Sequence, residues 1–223
     1  MKSRDEIVRD CWEYFLGSGA PYVGAPTDPT LVDRYPVPAP LRRLWQTLGL
    51  GFSHEGLVQF FDPADFAFVL DHVFGEDADF WPTESLVFAF TAFGRLRVWN
   101  RRWGSVSIDL TSARVSPFFA KEPPNDFDAE LNIASQLASL GPSTCDHRDS
   151  RDKPLFERAA KKLGALEFGE VYGFFPARLL GGCDLKHLRR VKAAEHFSIL
   201  AQLTPFTLVN ASKLPVREIR LLG

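Results

Sequence analysis

The sequence predicts an α+β fold in which an antiparallel sheet meander is covered by helices. Residues 86–110 hold three successive runs of strand character, broken by a Phe93-Gly94 turn and by the polar turn that begins at Arg101. Helical periodicity flanks these runs on both sides. The strands cluster between helices, without the regular alternation of a doubly wound sheet.

Taken in order, Ser3 and Glu6 have the spacing of a capping box, in which each side chain closes a backbone donor left open at a helix start. The helix runs to about Leu16, with Val8, Trp12 and Phe15 along one face. Residues 17–40 are rich in Gly and Pro and read as an irregular surface segment. Leu41, Leu44, Trp45 and Leu48 mark a short amphipathic helix stopped by Gly49. Residues 57–61 read as a strand, after which Asp62 caps a helix with Pro63 at its tolerated first turn. Phe66, Val69, Leu70 and Val73 face inward on that helix, and Gly75 ends it.

Residues 86–92 are apolar on both faces, as a central strand requires, and 95–100 follow as its neighbour. Val106, Ile108 and Leu110 alternate with Ser105, Ser107 and Asp109, which predicts a third strand with one wet face. A Pro-containing loop over 121–125 precedes a helix over 126–140. Residues 141–153 lack apolar periodicity, concentrate charged and turn-forming types, and read as a linker. A helix over 154–163, a strand over 171–175, a long helix over 184–203 and a last strand near 206–209 complete the chain.

At 223 residues and 45% hydrophobic content, the chain buries a proper core without disulfide or metal staples. Twenty phenylalanines against one methionine indicate cores filled by rigid rings. A net charge of −2, from 26 basic and 28 acidic residues, lacks the basic excess of a protein that neutralises many phosphates. Cys11, Cys145 and Cys183 are odd in number and unpatterned, which favours a reducing, cytoplasmic setting. The charged N-terminus is unlike a signal peptide, and no run approaches the ~20 apolar residues of a membrane span.

Several constellations could carry chemistry. At 100° per residue, Glu195 and His196 fall on the apolar stripe of the predicted 184–203 helix. They read either as a perturbed acid-base pair or as a structural polar pair that fixes how the helix docks. The structural reading is preferred, because no nucleophile or third group stands at a recognisable spacing. Cys145 with His147, Cys183 with His187, and the isolated His54 and His72 match no zinc spacing, so neither a metal nor a cofactor is expected. Gly181-Gly182 lacks the Lys and Ser or Thr of a phosphate loop and reads as a turn.

Two surfaces could meet a partner. Period-2 alternation sends Leu96 and Val98 inward and leaves Arg95, Arg97 and Trp99 on the opposite face, with Arg101, Arg102 and Trp103 just beyond in the turn. Arg and Trp dominate interface hot spots, although this face could equally be covered by a helix. The competing acidic site is Glu76, Asp77 and Asp79, a run without a local explanation. The run at Asp126, Asp128 and Glu130, by contrast, suits a helix N-terminus.

The stretch 163–203 resembles the C-terminal domain of the type VI secretion immunity protein Tdi family. The resemblance is carried by Glu170 to Phe174, Pro176-Ala177, Leu180-Gly181-Gly182, the helix with Glu195 and His196, and its end from Ile199 to Leu203. Upstream, Pro40-Leu41, Leu44-Trp45, Gly49 to Phe52, Gly56-Leu57, Asp62-Pro63 and Phe88 to Gly94 resemble the GAD-like domain. The resemblance implies a GAD-like block over 1–120, a helix and linker over 121–153, and a Tdi-like block over 154–223, packed into one compact unit. It also implies a bacterial cytoplasmic protein, not itself an enzyme, that binds and neutralises a cognate DNase effector. An RNA-associated or regulatory binding module is the alternative, through the distant likeness to a domain of tRNA-charging enzymes. The near-neutral charge weighs against it.

Overall fold

The computed structural model describes residues 2–17, 21–119, 126–212 and 215–222. Helix α1 (Arg4–Gly17) starts with the expected capping box, Ser3 N donating to Glu6 and Glu6 N to the Ser3 hydroxyl. Among the described residues, the Gly/Pro-rich segment that follows holds β1 (Val23–Gly24) and α2 (Leu31–Arg34) before α3 (Ala39–Thr47). Strands β2 (Gly51–Ser53) and β3 (Val58–Phe60) lead to a 3-10 turn over Pro63–Phe66, where Asp62 accepts from Ala64 N, and then to α4 (Ala67–Phe74). Strands β4 (Ser85–Thr91), β5 (Arg95–Asn100), β6 (Gly104–Asp109) and β7 (Arg114–Pro117) form the predicted meander, lengthened by one strand. The loop expected over 121–125 lies outside the described residues.

The second half continues with α5 (Ala129–Ala138), capped by Asp128, then α6 (Pro142–Cys145) and α7 (Phe156–Leu163). Strands β8 (Glu170–Phe174) and β9 (Leu188–Lys192) precede α8 (Ala193–Ala201), β10 (Thr207–Asn210) and β11 (Arg217–Leu221). The main sheet has the order β1-β2-β3-β4-β5-β6-β7-β10-β11, and β8 pairs with β9 in a separate ribbon. Every pairing is antiparallel except β7 with β10, where Leu208 lies opposite Val115.

A bulge between Val87 and Ala89 breaks the side-chain alternation of β4, so Phe88 and Ala89 face one core while Val87 and Phe90 face the other. Both cores draw on both halves of the chain. One joins Trp12, Leu44 and Phe60 to Leu155, Tyr172 and Phe174, and the other joins Phe61, Phe66 and Phe90 to Val171, Phe197 and Phe206. In the second core Phe61, Phe66, Phe90 and Phe197 interlock at centroid distances from 4.3 to 5.6 Å. Such offset and edge contacts add about 0.5–1.5 kcal/mol per pair beyond area burial.

Three expectations are corrected. The 184–203 stretch is not one helix but a 3-10 turn (Leu185–His187), strand β9 and the shorter α8. Strand β8 needs a partner for its backbone groups, and β9 supplies it in full register from Glu170↔Lys192 to Phe174↔Leu188. Residues 141–153 are not a loose linker, since Cys145 and His147 are buried. Their polar character is local bonding: Asp146 accepts from Phe156 N at the start of α7, and Asp149 accepts from the amides of Arg151 and Lys153. The serine face of β6 is not wet throughout, because Ser105 is buried and gives its amide and hydroxyl to Asn132 of α5.

Candidate partner-binding site

Strand β5 sets Arg95, Arg97 and Trp99 on one face, as alternation requires, but α5 and α6 cover that face. Arg97 is 8% exposed and Trp99 6%, the latter packing on Phe127 with centroids 6.2 Å apart. Trp103 is also buried, stacked on Phe80 at 5.0 Å, with its Nε1 donating to the Asp79 carbonyl. Arg97, Trp99 and Trp103 are therefore withdrawn from the expected surface, while Arg95 is partly exposed and Arg101 is exposed. Alternation marks two faces of a strand but does not show whether the second is roofed.

The acidic loop is corrected as well. Asp77 is buried, accepts from the amides of Asp79 and Phe80, and receives a bidentate fork from Arg220 at 2.5 and 2.9 Å. Arg220 also reaches Asp79 at 2.7 Å, and its hydrogen bonds, led by that to Asp77, hold its pKa far above the ordinary value. This loop is a clamp on β11, and Glu76 remains its exposed acid.

The two stretches weighed as rivals are neighbours. Arg102 lies 3.9 Å from Asp79, and a cleft of about 310 Å³ is lined by Asp79, Trp81, Glu84, Arg101 and Arg102. Arg101 and Glu84 also border a groove of about 510 Å³ that runs past Tyr35, Pro63 and Leu86. Trp81 is 53% exposed and was missed from sequence. Its signal was a tryptophan beside a proline, belonging to no apolar period. A half-open indole beside two guanidinium groups in a concavity has the composition of a binding hot spot.

A larger groove of about 610 Å³ opens where the two halves meet, bordered by His54, Glu55, Asp146, Arg148 and Glu157. His54 and Glu55 both hold left-handed backbone, at φ 52° and 57°. Non-glycine residues adopt this conformation at a cost and concentrate near functional surfaces. Burial pushes the His54 imidazole below its usual range and raises the Asp146 carboxyl.

Glu195 and His196 are not a pair. His196 is buried against Gly173, where a Cβ would come within 2.7 Å of its Nε2, and its ring lies 5.5 Å from that of Phe175. Burial lowers its pKa, whereas Glu195 projects to solvent from the outer side of α8. Once the helix starts at Ala193, these adjacent residues occupy different faces. Gly182 is a turn residue held by close approach, since a Cβ there would lie 1.9 Å from the Pro176 carbonyl oxygen. His187 Nδ1 accepts from the amides of Cys183 and Asp184, so it serves as a cap. Among the described residues no group of three or more His, Cys, Asp or Glu is placed to hold a metal.

A buried polar cluster does form under α6. Asp109 accepts from the amide and hydroxyl of Thr111 and lies 3.5 Å from Arg95. Burial opposes its charge, but His147, Arg95 and the Thr111 bonds outweigh burial and lower its pKa. His147 Nδ1 accepts from Arg178 at 2.9 Å, and burial pushes the imidazole down to about 4.

Each half of this α+β architecture has its own family match. Residues 11–113 match the GAD-like domain, and residues 132–204 match the family described as T6SS immunity protein Tdi1, C-terminal. The second match implies a type VI secretion immunity protein. The crystal structure of Atu4351 from Agrobacterium tumefaciens is similar across 95% of this chain and 98% of that chain, with a TM-score of 0.86 and 26% identity. No protein of curated function matches the chain. Among the described residues no helix is long and apolar enough to cross a membrane.

Proposed function

We propose that this chain is a cytoplasmic immunity protein that binds a cognate type VI secretion DNase effector and blocks it by occupation, with no catalysis of its own. The observation that carries this reading is the immunity-family match over residues 132–204, in a segment that shares both hydrophobic cores with the GAD-like half. The cleft of Trp81, Arg101 and Arg102 serves as the docking surface. Exposed arginines steer an acidic partner and set the association rate, and the half-open Trp81 indole, covered on docking, slows release.

Co-expression with a nuclease encoded beside this gene, followed by co-purification and a DNA-degradation assay, tests the function. A stoichiometric complex without DNA degradation is expected, and undiminished degradation at equal concentration overturns the reading. Trp81→Ala should then speed dissociation about 30-fold or more, the scale of a hot-spot loss of roughly 2 kcal/mol. Arg101→Glu should chiefly slow association.

A further inference from the structure

Helices α1 and α3 both pack on α5, and residues of all three line a cavity of about 330 Å³. That volume lies at the small end of the ~300–1,000 Å³ range of ligand sites. Trp12, Pro40, Ala134 and Leu137 make an apolar floor, and all four are buried. The cavity extends along α3 from Ala39 to Gln46 and along α5 from Glu130 to Leu137, about two turns of each helix. It is a pit for the body of one small molecule, not a track for the run of anchors that a docked helix or strand presents.

The polar groups around this floor are unbalanced. Arg42, Arg43 and Gln46 come from α3, and Glu130 comes from α5. Glu130 is already engaged, accepting from Arg4 at 2.6 Å, and Arg4 also holds Asp128 at 2.7 Å. Neither Arg42 nor Arg43 has a carboxylate partner among the described residues, and both are exposed. The Arg43 guanidinium instead lies over the Trp12 indole, 4.8 Å from its centroid, which sets a cation directly above the apolar floor. Two guanidinium groups therefore face one cavity without an anion to accept their hydrogen bonds.

We infer that this pit binds a small organic acid, an apolar chain or ring bearing one carboxylate. The apolar body lies against Trp12, Ala134 and Leu137, and the carboxylate accepts from Arg42 and Arg43. The site is separate from the effector cleft and independent of the immunity reading. Trp12, Arg42 and Arg43 lie in the segment that matches the GAD-like domain, whereas Ala134 and Leu137 lie in the segment that matches the immunity family. A bound acid thus touches both segments and pins α5 to the first half of the chain.

Calorimetric titration of the full chain at fixed ionic strength tests the site, with sodium octanoate as the probe and octanol and octylammonium as controls. Octanoate should bind saturably, one per chain, at least tenfold more tightly than octanol, and octylammonium should not bind. In Arg42→Gln/Arg43→Gln, whose two positions are exposed, octanoate affinity should fall tenfold or more, to that of octanol. Ala39→Phe, at an exposed position on the cavity wall, should weaken both ligands by filling the space. Each variant is required to melt at the parent's temperature without ligand. Crystals of the unaltered protein soaked in 8-bromooctanoate give a second measurement, with bromine density expected over Trp12 and Ala134. No saturable octanoate binding, equal binding of octylammonium, undiminished affinity in the double arginine variant, or bromine elsewhere only would each overturn the inference.

Discussion

Replacing Arg220 with alanine probes the clamp between the acidic loop and the last strand. The change removes three charge-assisted contacts, two to Asp77 at 2.5 and 2.9 Å and one to Asp79 at 2.7 Å. It strips the Asp77 carboxylate, whose side chain is 1% exposed, of its bidentate guanidinium partner, while the amides of Asp79 and Phe80 still donate to it. Breaking a buried pair by removing one partner costs about 3–5 kcal/mol. The Arg220 side chain is 34% exposed, so solvent screening moves the expectation to the low end, about 3 kcal/mol. Arg220→Lys keeps the charge but loses the planar fork, for about 1–2 kcal/mol. Urea unfolding reads both, with an unchanged slope and a lowered midpoint. In a double-mutant cycle with Asp77→Asn the coupling should be about 2 kcal/mol, since the two residues share the same bonds. An Arg220→Ala variant within about 0.5 kcal/mol of the parent, the range of an ordinary surface substitution, would refute the clamp.

Gly173→Ala should destabilise by about 1–3 kcal/mol, because the new methyl meets the His196 ring, and His196→Ala in the same chain should recover much of the loss. Additive losses in urea unfolding would contradict that contact. His147 makes stability pH-dependent in one direction: its folded pKa of about 4 lies below the unfolded value of about 6.5, so its contribution is complete above 6.5 and is lost as pH falls through 4. The two and a half units between them amount to roughly 3 kcal/mol, so His147→Gln should flatten the stability profile in that window, and an unchanged profile would exclude the assignment. Glu55→Gly should raise stability by about 0.5–1 kcal/mol by relieving left-handed backbone, measured by thermal unfolding, and a loss instead would mean that the Glu55 side chain holds the groove.

Much of the fold was legible because local rules decided it. The capping box at Ser3, the Asp62 cap before Pro63 and the double-sided apolar run of β4 each act over a few residues, and each appears where the sequence placed it. The errors came where distant partners decide. β9 carries both helical and strand periodicity, and only β8, eighteen positions away in the Glu170–Leu188 span, resolves the choice. The site was half legible for the same reason. Arg101 and Asp79 were named from local patterns, but the roof over Arg97 and Trp99 comes from α5 and α6, and the clamp on Asp77 comes from the far end of the chain. Trp81 carried no periodic signal, and its importance is that it stays half open in a concavity.

The parallel joint between β7 and β10 has a consequence for biosynthesis. Strands β1 to β7 are complete by residue 117, but the outer edge of β7 receives its neighbour only after residues 207–210 have been made. At translation rates of about 5–20 residues per second, that edge stands open for several seconds on every ribosome. An unpaired edge is a template for pairing with another nascent chain. Messages truncated before the final hairpin should therefore yield aggregates rather than soluble partial chains, and the folded pool counts only chains that have passed residue 210.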